Sequence, residues 1–159
     1  MRFRMLYAAL LLTVAACSSD ARWNRFRETE PRLAEARELA SVECTGREEC
    51  TARWERTRQY VARYSATRIR RADAASIETG RPLEAGVVYL WATRTPAAGN
   101  GFDGDRARIS LRGMCRGMYG MDGGPGWLYS SCASQIRSIE MNFRAYVVEP
   151  GSRLPDDAA

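Results

Sequence analysis

The sequence predicts an α+β domain of two layers, an antiparallel sheet of three or four strands packed against amphipathic helices. Two segments, 45–65 and 131–147, repeat apolar residues at helical spacing, and between them 67–79 and 106–112 alternate with period two. A third observation joins these: 86–94 is apolar on both faces, as a central strand requires. The order helix, helix, strands, helix leaves the helices on one face of an antiparallel meander.

Taken in order, Leu33, Ala36, Leu39 and Ala40 recur at helical spacing, and Pro31 fits a first turn, so a short helix is expected over 31–42. In 45–65, Cys50, Trp54, Thr57, Val61 and Tyr64 share one face and Arg53, Glu55, Arg56, Arg58 and Arg63 the other. Glu48 and Glu49 lie at its N-terminal end, where the helix dipole favours negative charge. Ile69 then alternates with Arg68 and Arg70, and Ile77 with Ser76 and Glu78. Asp73-Ala74 between them is either a bulge in one strand or a tight turn between two. Val87 to Trp91 form the central strand, and Asn100-Gly101 with Asp103-Gly104 mark a turn. Ile109 and Leu111 point inward from the next strand, and Arg106, Arg108, Ser110 and Arg112 outward. Six glycines and a proline make 113–126 a loop, of a length that in compact domains often serves function. Cys132, Ile136, Ile139, Phe143, Tyr146 and Val147 share a face of the closing helix.

The stretch 1–16 reads as a secretory signal. Arg2 and Arg4 precede an apolar run from Met5 to Leu12, too short for a spanning helix, and Ser18, Ser19 and Asp20 follow at once. Val14-Ala15-Ala16-Cys17 resembles the lipobox of bacterial lipoproteins, a family in which the cysteine is acylated and becomes the new N-terminus. That resemblance implies a diacylglyceryl group plus an N-acyl chain on Cys17, enough for stable attachment to a lipid bilayer. Ser18 after the cysteine, by the sorting rule of enteric bacteria, implies the outer membrane facing the periplasm. The organisation expected is a signal peptide over 1–16, a lipidated tether over 17–30, the α+β domain over 31–148 and a disordered tail over 149–159.

Composition excludes more than it assigns. Every one of the 24 basic side chains is arginine, 19 acids are interleaved with them, and the net charge of +5 falls to +3 once Arg2 and Arg4 are removed. Together with an envelope location this argues against nucleic acid as a partner. No histidine is present, which removes the commonest general base and metal ligand and every Ser-His or Cys-His nucleophile. The absence of lysine removes a Ser-Lys pair as well. After Cys17, the cysteines Cys44, Cys50, Cys115 and Cys132 form an even set in an exported chain, which points to disulfides with three connectivities open. Two local pairs, Cys44–Cys50 and Cys115–Cys132, are favoured.

Few constellations carry chemistry. The 113–126 loop lacks the Gly-Lys-Ser/Thr ending of a phosphate cradle. Asn100, Asp103 and Asp105 are spaced like calcium ligands, but Leu111 stands where an EF-hand needs its bidentate acid. Asp73, Glu78 and Glu140 are the carboxylates available for acid/base work, with no pairing implied by their spacing. Met114, Met118 and Met121, beside Cys115 and with Met141 in reach, form a soft donor set that suits cuprous ion; methionines also plug irregular gaps under loops.

Cys44-Thr-Gly-Arg-Glu-Glu-Cys50 before Trp54, then Ser76-Ile-Glu-Thr79, then Cys115-Arg-Gly-Met-Tyr-Gly120, resemble a family of small uncharacterised proteobacterial lipoproteins over residues 43–147. That family usually has its fourth cysteine a few residues after the third; here it is Cys132, beyond a glycine-rich insertion. The resemblance brings no activity and no cofactor. The function expected is therefore a non-enzymatic, membrane-anchored envelope lipoprotein that binds a protein partner or supports an envelope assembly. The alternative is a carrier of a small ligand or cuprous ion through 113–126.

Overall fold

The computed structural model describes the backbone of residues 2–97 and 106–149, and the side chains from residue 20 onward within those spans. The side chain of Cys17, the expected turn at 100–105 and all but the first residue of the expected tail lie outside the described residues. The elements in chain order are α1 (Arg2–Leu39), β1 (Ser41–Thr45), α2 (Arg47–Tyr64), β2 (Ile69–Ala72), β3 (Ser76–Thr79), β4 (Val88–Pro96), β5 (Arg106–Cys115) and α3 (Tyr129–Val148). The five strands form one antiparallel sheet in the order β1-β5-β4-β3-β2, so the fold is α+β with one strand more than expected. Among the described residues no helix is long and apolar enough to cross a membrane.

One face of the sheet is the core. Val42, Ile77, Val88, Leu90, Ala92, Ile109 and Leu111 point into it and meet Tyr60 and Val61 of α2 and Ile136, Ile139 and Phe143 of α3. The opposite face carries Glu43, Tyr89, Trp91, Thr93 and Arg108, all half-buried or exposed. The expected helical face of 45–65 is the buried one, with Tyr60 added to it. Its hydroxyl donates to the Ile139 carbonyl at 2.7 Å, and its ring packs on Tyr64, Phe143 and Tyr146. Trp54 is half-buried and its indole N–H donates to the Asp73 carbonyl at 2.9 Å. Asp73-Ala74 is the tight turn: Asp73 Oδ1 accepts from the Ala75 and Ser76 N–H groups, each at 2.8 Å, and β2 and β3 pair across it.

Three expectations are corrected. The helix expected to start at Pro31 begins at Arg2 and passes through Pro31 to Leu39. An interior proline removes one helical hydrogen bond, but Pro31 and Arg27 are both exposed, and packing of Phe26, Leu33 and Ala36 holds the helix on either side. Second, Ser41–Thr45 is a strand, paired from Ser41↔Ser110 to Thr45↔Arg106. Val42 and Cys44 do alternate with Ser41, Glu43 and Thr45, but five residues between two helical patterns are easily absorbed into them, and the strand's partner lies in the second half of the chain. Third, Gly113, Met114 and Cys115 belong to β5, so the loop starts at Arg116. A Cβ at Gly113 would lie 3.1 Å from Ile136 Cγ2 and 3.2 Å from Leu90 Cδ2: the glycine lets α3 cross close to the sheet.

Both disulfides join the local pairs. Cys44–Cys50 links β1 to α2, with Cα atoms 5.1 Å apart, and Cys115–Cys132 links the end of β5 to α3, at 5.7 Å. The sequence separations are 6 and 17. Loop-closure entropy then gives about 2 kcal/mol for the first and about 3 kcal/mol for the second. Urea denaturation should show Cys115→Ala/Cys132→Ala losing more stability than Cys44→Ala/Cys50→Ala, by about 1 kcal/mol.

Candidate functional site

β1 pairs with β5 only as far as Ser110, which leaves the rest of that β5 edge without a strand partner. Two substitutes cover it. The Leu111 N–H donates to the Ala40 carbonyl at 2.9 Å, and two residues on the Gly113 N–H donates to Oε1 of Glu140 at 3.0 Å. Glu140 is fully buried on α3, and its Oε2 has no hydrogen-bond partner among the described residues. Burial pushes its pKa up to about 7, against the opposing pull of the Gly113 N–H and of the Arg37 and Arg112 charges. Arg112 donates to the Arg37 main-chain carbonyl at 2.6 Å, and the Arg37 guanidinium is hydrogen-bonded to Tyr119.

The 116–128 loop is clamped beside this edge. Its start and end meet in the Tyr119↔Pro125 bridge, with the Gly120 N–H on the Gly124 carbonyl and the Gly126 N–H on the Met118 carbonyl, both at 2.8 Å. A Cβ at Gly126 would fall 2.3 Å from the Gly117 carbonyl oxygen, so no other residue fits there without moving backbone. From outside, α1 fastens the loop. Tyr119 and Tyr129 both donate to Oε1 of Glu30, at 2.9 and 2.7 Å. The Phe26 ring meets both tyrosines edge-on, with Trp23 edge-on behind it. Burial, and then the Glu30 carboxylate, push the Tyr129 hydroxyl pKa up, so it stays a donor. Residues 20–30, expected as a tether, are thus helical and fixed to the domain.

The sequence-derived candidates scatter. Met118 is fully buried, Met121 is fully exposed, Met114 sits half-buried on β5 facing away from Cys115, and Met141 is exposed on α3. Cys115 is held in its disulfide. The donors expected for cuprous ion therefore share no common point. Among the described residues no group of three or more histidine, cysteine, aspartate and glutamate side chains is placed to hold a metal ion. Asp73 caps its turn and pairs with Arg71 at 2.8 Å, and its carboxyl is held down to about 2 by the Ala75 N–H and Arg71. Glu78 lies exposed beside Arg71. Neither faces Glu140.

Sequence periodicity passes over the residues that form the most distinctive surface. Trp127 is 94 % exposed at the end of the loop, next to Arg22 and Arg25 of α1. The signal was there: a tryptophan among glycine and proline has no apolar periodicity to place it in a core. No family model matches the chain, and no curated protein or solved structure matches it either.

Two outcomes follow from this geometry. The folded carboxyl of Glu140 titrates near 7 against an ordinary 4.5, so the folded state holds that proton more tightly than the unfolded one. Its contribution is unaffected below about pH 4.5, and stability falls as pH rises through about 7. Glu140→Gln keeps the acceptor for Gly113 without the charge. Thermal melts should show little change near pH 4.5 and a gain of up to about 3 kcal/mol near pH 8, at about 1.4 kcal/mol per pKa unit. Glu30→Ala removes the acceptor for two tyrosine hydroxyls and should cost about 1–3 kcal/mol. Hydrogen exchange should then quicken in 117–126 and leave β4 unchanged.

Proposed function

We propose that the chain is a membrane-anchored envelope lipoprotein, acylated at Cys17, whose role is non-enzymatic: it holds its α+β domain at the bilayer and offers it to a protein partner of the envelope. The observation that carries this reading is α1. The helix that includes Cys17 continues without a break into the part fastened to the domain through Phe26, Glu30, Leu33 and Ala36. A rigid connection of this kind keeps the domain at a short, fixed distance from the acyl position, where a flexible stalk would let it roam. The roles found for the carboxylates support a scaffold: Asp73 caps a turn, Glu30 clamps a loop and Glu140 completes a sheet edge. The outward face of the sheet, with the tilted rings of Tyr89 and Trp91 6.0 Å apart, offers surface for a protein partner.

Intact mass of the membrane-extracted protein, with and without reductant, tests the reading. The expected product begins at Cys17, carries three acyl chains, and has its other four cysteines oxidised. Cys17→Ala should prevent acylation at that position. An unacylated wild-type mass overturns the anchor, and turnover that depends on Glu140, Asp73 or Glu78 overturns the non-enzymatic role.

A further inference from the structure

Between α1 and the first half of α3 runs a groove formed by two contiguous hollows of about 560 and 420 Å³, which share Arg25 and Ser130. Arg22, Arg25 and Arg32 line it from α1 and Arg137 from α3, with the hydroxyls of Thr29, Ser131 and Ser134 between them. All four arginines are exposed, and among the described residues none makes an ion pair. Arg25 does donate to the Ala21 carbonyl at 3.3 Å. Asp20 and Glu28 are on the same helix but do not line the groove. Trp127 stands at its mouth, 94 % exposed; Met121 is wholly exposed, and Trp23, 38 % exposed, lies against Gly124 of the same loop.

We propose that this groove binds the anionic headgroups of phospholipids and seats the domain on the bilayer surface, with Trp127 and Met121 entering the interface beside it. Guanidinium groups meet phosphate through paired N–H donors, and serine hydroxyls add single ones. An amphipathic indole favours the headgroup layer, where its ring is half in hydrocarbon and its N–H is wet. The placement agrees with both. Arg22 and Arg25 follow Cys17 within the next three turns of one helix, or about 8 and 12 Å of axial rise, so an acyl group at Cys17 brings this end of the groove to headgroup height. The inference rests on the anchoring proposed above, and its test separates the two.

The protein extracted from membranes is reconstituted on vesicles of brominated phosphatidylglycerol, or of brominated phosphatidylcholine as the neutral control. Trp127 is read as the difference in tryptophan quenching between wild type and Trp127→Phe. Quenching is expected on the anionic vesicles only. Each of Arg25→Ala and Arg137→Ala should shift the ratio of seated to lifted domain about fivefold, and the pair about 25-fold, since one interfacial arginine contributes roughly that factor. Arg25→Lys/Arg137→Lys should restore most of it. Equal quenching on neutral vesicles, or none lost in the double alanine variant, overturns the groove while a triacylated mass leaves the anchor standing. If Cys17 is unacylated, sedimentation decides. Retention on phosphatidylglycerol that is lost in the double alanine variant keeps the groove and overturns the anchor; no retention overturns both.

Discussion

The unfinished edge of β5 constrains everything around it. A strand ten residues long is paired by β1 over half its length, and the exposed N–H groups beyond Ser110 would be a costly defect inside a core. The Ala40 carbonyl and the Glu140 carboxyl supply the missing acceptors in register, two residues apart. To reach Gly113, α3 has to cross the sheet closely, which is why a glycine sits in mid-strand and why a carboxylic acid is buried among Ile136, Ile139 and Phe143. The Cys115–Cys132 bond closes the same junction at the end of the strand. Sheet edge, helix crossing and disulfide are one arrangement seen from three sides.

That arrangement governs the loop that follows. Residues 116–128 leave a strand and enter a helix whose ends are already tied together, so the chain between them is a closed excursion. Glycines at 117 and 123 take positive φ and Gly126 admits a close backbone contact with Gly117, which lets the excursion turn back on itself. Glu30 then locks its base through two tyrosine hydroxyls, while Met121 and Trp127 are left outside with no core to enter. A glycine-rich composition here gives a fixed platform. Entropy lost on contact with a surface is correspondingly small.

α1 joins this platform to the N-terminal end of the chain. A helix transmits position as well as connection. The arginines of α1 and the tip of the loop come to one end of the domain because Phe26 and Glu30 dock at a set rotation about the helix axis. Turned by a third of a revolution, α1 would direct Arg22 and Arg25 away from Trp127 and dissolve the groove.

Local pattern by itself marked the helices that the structure places over 47–64 and 129–148, β4 as a central strand and the inward set of Ile109 and Leu111, and it favoured both local disulfides, while it left Asp73-Ala74 open between a bulge and the turn that the structure shows. Each of these depends on neighbours within a few turns or a few strand residues. The pairing of β1, the continuation of α1 across Pro31 and the strand character of Gly113 depend on partners far along the chain, which local pattern does not supply. The same holds for the site. Met114, Met118 and Met121 look like a cluster in the chain and are scattered by strand alternation and burial. Arg25 comes from one end of the chain and Trp127 and Arg137 from the other, and they meet only because α1 packs along α3. Glu140 was visible as a carboxylate; its burial was decided by a hydrogen-bond donor on another element.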